Sequence, residues 1–261
     1  MGFDHWVSEL EKRHLADLRI AEVTRALRAL SSAYVERRQT RLRSSSFGGR
    51  AVARGPLDSA GKRAAFALFY APLHFLAAWH VIGSLDAAVE PPPSAILDVG
   101  CGTGAAGAAW AVAAGRSPVV TGLDRHPWAI DEARWTYRTL GLKGTARHGD
   151  AGRLPRLDRG DGAIAAYVLN ELPADLRARA EEQLFAAAAR GTRVLILEPI
   201  ARGVAPWWDE SARRALAAGG RADEWRFAVD LPPLLRTLDK AAGLNHRELT
   251  VRSLWLPGSQ K

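Results

Sequence analysis

The segment Asp98-Val99-Gly100-Cys101-Gly102-Thr103-Gly104 constrains this chain more than any other. Ala95–Val99 before it reads as a short buried strand, and the Ala-rich run Ala105–Ala114 after it reads as a helix. A strand that turns at once into a helix brings backbone close to whatever lies above it. Glycine permits both the unusual dihedrals and the close approach. The helix start beyond the turn offers unpaired N–H groups. Asp124 closes the next apolar run, Pro118–Leu123, twenty residues after Gly104. A carboxylate at that place can accept hydrogen bonds from both hydroxyls of a ribose.

From Ser94 onward strands and helices alternate. Strands are expected at Ala95–Val99, Pro118–Leu123, Thr145–His148, Gly162–Leu169, Thr192–Leu197 and Arg247–Leu256. Helices are expected at Ala105–Ala114, Pro127–Leu140, Pro173–Ala189 and Leu231–Ala242. The alternation predicts an α/β fold, a Rossmann-like, doubly wound and mostly parallel sheet. The first third instead reads as helical. Val23, Leu27, Leu30 and Tyr34 share one helix face, and a second helical stretch covers Ser59–Leu85, with Pro72 expected to break or kink it. Pro91-Pro92-Pro93 marks a boundary. The reading is therefore an N-terminal helical extension over residues 1–90 and a ligand-binding domain over 91–261.

Charge is unevenly spread. The chain carries a formal +8, yet residues 37–63 hold eight Lys/Arg against one acid, so the remaining residues sum to +1. Ser44-Ser45-Ser46 and Gly48-Gly49 sit inside this segment, which reads as a basic, mobile loop. Local charge of this kind makes an electrostatic footprint for a polyanion such as RNA. One cysteine excludes an internal disulfide, a multi-cysteine zinc site and a cysteine-ligated iron–sulfur cluster. Charges throughout the first twenty residues exclude a signal peptide, and no run of about 18 uncharged apolar residues appears. A soluble, cytoplasmic protein without a membrane partner is expected. No His/Asp/Glu spacing suggests a metal site.

The glycine pattern by itself suits two cofactor classes, because Gly102-x-Gly104-x-x-Gly107 also satisfies the dinucleotide fingerprint. Asp98 discriminates. An acid just before the loop would repel a pyrophosphate but suits S-adenosylmethionine, with its ammonium and its cationic sulfonium. Ile96-Leu97-Asp98-Val99-Gly100-Cys101-Gly102-Thr103-Gly104 resembles the first motif of class I S-adenosylmethionine-dependent methyltransferases. Three further stations match over roughly residues 94–256. The resemblance implies that Asp124 binds ribose and that Asp150 meets the adenine amino group. It also implies that Ala166–Pro173 faces the methyl group. The implied cofactor-binding residues are Asp98, Gly100, Gly102, Gly104, Asp124, Arg125, Asp150, Ala151 and Tyr167. S-adenosylhomocysteine would be the product.

In-line methyl transfer asks mainly for alignment, and for a base only if the acceptor must lose a proton. Asn170 and Glu171 are the catalytic candidates. Base-directed amino methyltransferases place Asn or Asp before Pro-Pro-aromatic here; this chain has Asn170-Glu171-Leu172-Pro173, so Asn170 reads equally well as a cap for the next helix. Cys101 lies in the glycine loop rather than after a later strand, which excludes cysteine-dependent methylation; it reads as inert packing. Pro206-Trp207-Trp208 offers two rings that either stack on a planar acceptor or cover the sheet edge. His126 and His148 flank the cofactor loops. Tyr70, Trp207, Trp208, Arg41 and Arg43 are the substrate-binding candidates.

Val23–Arg38 is similar to the N-terminal helix of the small-ribosomal-subunit methyltransferase-like family. Lys62–Leu73, Glu198-Pro199 and Asp223–Phe227 fall where its other blocks lie. The cysteines that ligate an iron–sulfur cluster in that family are absent, so no cluster is expected. Three functions stay open at this point. The first is methyl transfer to RNA, ribosomal RNA in the small subunit included, held through 37–63. The second is transfer to a small molecule under a helical lid, with Phe66, Phe69, Tyr70, Phe75 and Trp79 as lining. The third is non-catalytic cofactor binding in ribosome assembly.

Overall fold

The computed structural model describes residues 2–43, 57–85, 91–201 and 205–258, with residues 33–43 as backbone only. Seven strands form one sheet: β1 Ala95–Val99, β2 Val119–Asp124, β3 Gly144–His148, β4 Gly162–Ala166, β5 Arg193–Glu198, β6 Arg221–Ala228 and β7 Glu248–Leu256. Their order is β3-β2-β1-β4-β5-β7-β6. The first five are parallel and β7 runs antiparallel to β5. This is the mostly parallel α/β sheet that the alternation predicts. The chain runs outward from β1 to β3, then returns to the other side of β1 as β4. That reversal makes a topological switch point between β1 and β4, and doubly wound sheets bind ligands beyond the carboxyl ends of the strands at such a point.

The central strands are apolar without alternation because both faces are covered: β5, Arg-Val-Leu-Ile-Leu-Glu, is buried at every residue. The edge strand β6 alternates between exposed and half-buried positions and carries four charges, the composition expected of an unpaired edge. Helix α5 (Ala105–Ala113) is buried along most of its length, and its alanines let it lie close on the sheet. Its one bulky side chain, Trp110, sits against Gly162 of β4, where a Cβ would come within 3.0 Å of the indole. Helix α6 (Pro127–Thr139) supplies Tyr137, fully buried in a slot formed by Gly104, Gly122 and Gly144. A Cβ on any of the three would approach the ring or hydroxyl to within 2.7–2.9 Å. Helix α7 (Ala174–Ala189) packs on β5, and α8 (Trp208–Ala217) on β7.

The chain divides into two compact units. One holds residues 73–227 and 248–261, with the whole sheet apart from the last residue of β6; the other holds Phe3–Pro72 and Ala228–Arg247. Into the second fall α1 (Phe3–His14), α2 (Ile20–Arg43) and α9 (Pro233–Ala241). Val23, Leu27 and Leu30 are buried, as their spacing predicts. In this unit Asp239 of α9 accepts the His246 N–H at 2.9 Å and meets His246 Nδ1 at 2.5 Å.

Three local expectations are corrected. Residues 37–43 do not begin a loop: α2 continues to Arg43, because Arg, Gln and Leu are good helix formers and no glycine intervenes before Gly48. Residues 44–56, the rest of the expected mobile loop before Leu57, lie outside the described residues. Pro72 does not break its helix. Residues 60–83 run continuously as α3 (Ala60–Ala65), a π turn (Phe66–Tyr70) and α4 (Ala71–Gly83). The wider turn, closed by the Ala71 N–H on the Phe66 carbonyl, absorbs the hydrogen bond that proline cannot make. This helix is also long and apolar enough to cross a membrane by length and composition, with 67% of its most apolar window buried. Finally, β6 and α8 went unpredicted, since a charged edge strand and a Trp- and Arg-bearing surface helix lack the apolar runs that mark the rest.

The Tyr137 hydroxyl is buried and makes no hydrogen bond among the described residues. A buried hydroxyl without a partner costs its desolvation. Tyr137→Phe is therefore expected to raise stability by about 1 kcal/mol, measured by urea unfolding.

Candidate functional site

The glycine loop is fixed by two carboxylates. Asp98, the fourth residue of β1, is 1% exposed. Its Oδ2 accepts the N–H of Gly107, in the first turn of α5, at 2.9 Å. A Cβ on Gly107 would come within 2.7 Å of that oxygen. Asp98 thus serves the orphan N–H groups of a helix start from inside the protein. Burial pushes its carboxyl up to about 7, the Gly107 N–H opposes the shift, and Asp124 adds to it.

Asp124 ends β2 and faces the loop from the other side. Its Oδ2 accepts the Gly102 N–H at 2.9 Å and its Oδ1 the His126 N–H at 2.8 Å. Each carboxylate oxygen accepts more than one hydrogen bond, so both retain capacity for a ligand hydroxyl. The Cys101 N–H is held by the Leu123 carbonyl at 2.9 Å. Gly100 and Gly104 have φ of 65° and 78°, and a Cβ at Gly100 would meet Val168 Cγ2 at 2.2 Å. At both positions side chains are excluded by conformation and by space.

Beyond β3, Asp150 Oδ1 accepts the Gly152 N–H at 2.7 Å, closing an Asx turn. The Gly149 N–H reaches the Asp124 carbonyl at 3.0 Å, which ties this turn to β2. Ala151 is buried and Arg125 is exposed. Beyond β4, Tyr167 takes φ of 58°, a conformation costly for a residue with a Cβ and found mostly where function or packing imposes it. Its N–H is held by the Leu197 carbonyl at 2.8 Å, and its ring stacks on His74 at 4.2 Å. Burial lowers the His74 imidazole to about 4, so it is neutral at pH 7, and burial with the nearby Glu198 raises the Tyr167 hydroxyl.

Asn170 and Glu171 lie in a 3-10 turn, Leu169–Glu171. Asn170 does not cap α7, whose first residue is Ala174 with Pro173 before it. Instead its N–H is accepted by Glu198 Oε1 at 3.2 Å. Glu171 is exposed. Trp208 is buried, with the Arg252 guanidinium 4.3 Å from its ring centre; Trp207 is half-buried beneath Arg177 at 5.3 Å. Tyr70 belongs to the other compact unit, where its hydroxyl meets Ser31 Oγ at 2.9 Å. Arg41 and Arg43 lie on the last turns of α2, and their side chains fall outside the described residues. Cys101 is buried and its thiol is pushed up by burial, as inert packing requires. His126 is half-buried and His148 exposed.

With this geometry in hand, residues 96–191 match the profile of a methyltransferase domain. That span runs from β1 to the residues just before β5 and includes the glycine loop, Asp124 and Asp150. Among solved structures, this chain is similar to mitomycin 7-O-methyltransferase, at 18% identity and a TM-score of 0.51. That match covers 78% of this chain and 58% of that one, so the chain spans less than two thirds of its length. At this identity the likeness is one of fold. It is also similar to magnesium protoporphyrin IX methyltransferase from Synechocystis PCC 6803, solved with bound S-adenosylmethionine (15% identity, 83% of this chain and 89% of that one, TM-score 0.46). A third is the Pyrococcus abyssi tRNA (uracil-54, C5)-methyltransferase in complex with S-adenosyl-L-homocysteine (17%, 69% and 38%, TM-score 0.42). No curated protein matches the sequence.

Sequence reasoning placed Glu198 only within a family block and missed its position in the site. It closes β5 and is fully buried. Its Oε1 holds the turn after β4, and its Oε2 makes no hydrogen bond among the described residues. The available signal was a single acid at the carboxyl end of an otherwise apolar strand, the same pattern that marks Asp124. Arg252 lies opposite it on β7, and Glu171 and Tyr167 face it from the β4 side. Burial pushes its carboxyl up to about 8 against the Asn170 and Leu169 N–H groups and Arg252, with Glu171 adding to the rise.

A carboxyl raised in the folded state binds its proton more tightly there than in the unfolded chain. Its stabilisation is therefore present at low pH and falls between about 4.5 and 8. Glu198→Gln keeps an acceptor oxygen for Asn170 and removes the titration. The variant is expected to match the parent at pH 5 and to exceed it at pH 9 by on the order of 3 kcal/mol, read by urea unfolding. Asp98 titrates in both proteins, so the difference between them isolates Glu198.

Proposed function

We propose that the chain is an S-adenosylmethionine-dependent methyltransferase whose acceptor is RNA. The observation that carries the cofactor half is Asp124, which buttresses the glycine loop with one hydrogen bond per oxygen while keeping acceptor capacity for a ligand hydroxyl. The residues present fit the group. Asp124 would hold the ribose hydroxyls. Asp150, with only Oδ1 engaged, keeps Oδ2 for an adenine amino donor. Gly100 and Gly104 hold the turn in positive φ, which brings its backbone toward the ligand side. Asp98 and Glu198 bring buried carboxyls to the ends of β1 and β5, where they hold the glycine loop and the turn after β4 in place. The cofactor supplies a methyl carbon activated by the sulfonium, and the protein's task is to align an acceptor atom with it.

The acceptor reading rests on charge. Residues 37–63 carry +7 while the rest of the chain is close to neutral. Neutralising phosphates with such arginines makes binding steeply salt-dependent. A second reading, a planar small molecule as acceptor, is favoured by the His74–Tyr167 stack beside the methyl-facing turn.

Asp124→Ala is expected to weaken S-adenosylmethionine binding by about 1–3 kcal/mol in calorimetry; unchanged affinity would overturn the site. For the acceptor, the chain is incubated with methyl-labelled cofactor and, separately, deproteinised RNA, ribosomal subunits and a metabolite extract. Label in RNA that declines steeply from low to moderate salt supports the first reading. Label only in the extract supports the second.

A further inference from the structure

Beginning at Asp150 and running away from the glycine loop, the sheet unit carries two adjoining open grooves of about 560 and 290 Å³. Both are walled by Leu154 and Pro155, so they form one trough. Four arginines line it: Arg147 and Arg153 on one side of that wall, Arg156 and Arg190 on the other. All four are exposed, and none has a side-chain ion pair or hydrogen bond among the described residues. Most other described arginines of this unit are engaged, as Arg134 is with Asp131, Arg214 with Glu182 and Arg226 with Glu248. Asp150 is the one acid among the lining residues, so four cations face a single anion, which stands at the end nearest the proposed cofactor site.

The trough is built rather than incidental. Gln183 of α7 accepts the Leu154 N–H at 2.8 Å and donates to the Gly152 carbonyl at 2.8 Å, which pins the loop carrying Arg153 and Arg156 to the helix. A concave floor with four unpartnered cations against one acid marks a site for an anionic ligand. The proposed cofactor carries no phosphate and a cationic sulfonium, so it does not answer them. The shape also argues against a bilayer. A flat surface reaches a recessed floor poorly, and the exposed large apolar residues described (Ile20, Trp79, Val119 and Leu216) all lie outside the trough.

We propose that this trough is a phosphodiester track that holds the backbone of the RNA acceptor. It rests on the acceptor reading above. It adds a second basic contact surface, independent of residues 37–63, on the unit that carries the proposed cofactor site.

The test measures binding of the full chain to a fluorescein-labelled 20-nucleotide single-stranded RNA between 50 and 300 mM KCl. The parent is compared with Arg153→Gln/Arg156→Gln, with Arg147→Gln/Arg190→Gln, and with Arg213→Gln/Arg226→Gln as a control of equal charge elsewhere. Each trough pair is expected to weaken binding about tenfold at 100 mM and to flatten the salt slope by about 1.4, two phosphate contacts' worth, while the control stays near the parent. Thermal melting and S-adenosylmethionine calorimetry confirm that each variant is folded. Trough variants that match the parent overturn the track and leave the acceptor reading standing on 37–63. A parent that binds no RNA overturns both. Loss of binding to 3:1 phosphatidylcholine:phosphatidylserine vesicles, or to inorganic tripolyphosphate, with RNA binding intact assigns the arginines elsewhere and overturns the track.

Discussion

The hydrogen bond from the Gly107 N–H to Asp98 is the interaction on which the candidate site depends. It joins the end of β1 to the first turn of α5 across a loop with positive φ at Gly100, Gly102 and Gly104. Such a loop has many conformations open to it when free, so something must select one. Asp98 does so from below, through the helix, and Asp124 from the side, through the Gly102 N–H. Burying Asp98 is costly, which is why its carboxyl rises to about 7. The helix N-terminus offsets part of that cost, because unpaired N–H groups and the positive end of the helix dipole favour a carboxylate there.

The same loop is held from outside by packing. Tyr137 of α6 occupies the space left by Gly104, Gly122 and Gly144, so one ring links the glycine loop to β2 and the start of β3. Gly104 is doubly constrained, by φ and by this contact. Gly107 is constrained only by its contact with Asp98. It completes a dinucleotide-like spacing in the sequence, but its place in the structure follows from the carboxyl beneath it.

That distinction shows where the sequence was legible. Strand and helix alternation from Ser94 onward follows from apolar runs, and those runs exist because the central strands are covered on both faces. The ends of β1 and β2 were readable because an acid at the carboxyl end of an apolar strand is conspicuous. Glu198 has the same mark, yet its importance depends on β5 lying beside β4, so that its oxygen reaches Asn170. Neighbours across a sheet are not neighbours in sequence. The continuity of the 60–83 helix was hidden for a different reason: proline argues for a break, and only the π turn before it shows how the missing hydrogen bond is absorbed.

Charge shows the limit of counting along a chain. The window 37–63 stands out because its arginines are consecutive enough to sum. Arg147, Arg153 and Arg156 are interleaved with Asp150, Asp158 and Asp161, so a running count over this stretch averages toward neutral. Folding ties up acids of this stretch. Asp150 and Asp161 turn oxygens onto backbone N–H groups of their own loops, and Gln183 presents the arginines along the trough. One unit thereby gathers acids, Asp98, Asp124 and Glu198, at the carboxyl ends of its strands and unpaired arginines along a neighbouring loop and helix end, with Asp150 at the border between them. On the proposed function the two linings serve ligands of opposite charge, the acids a cationic donor and the arginines a polyanionic acceptor, and each ligand would be repelled by the lining that suits the other.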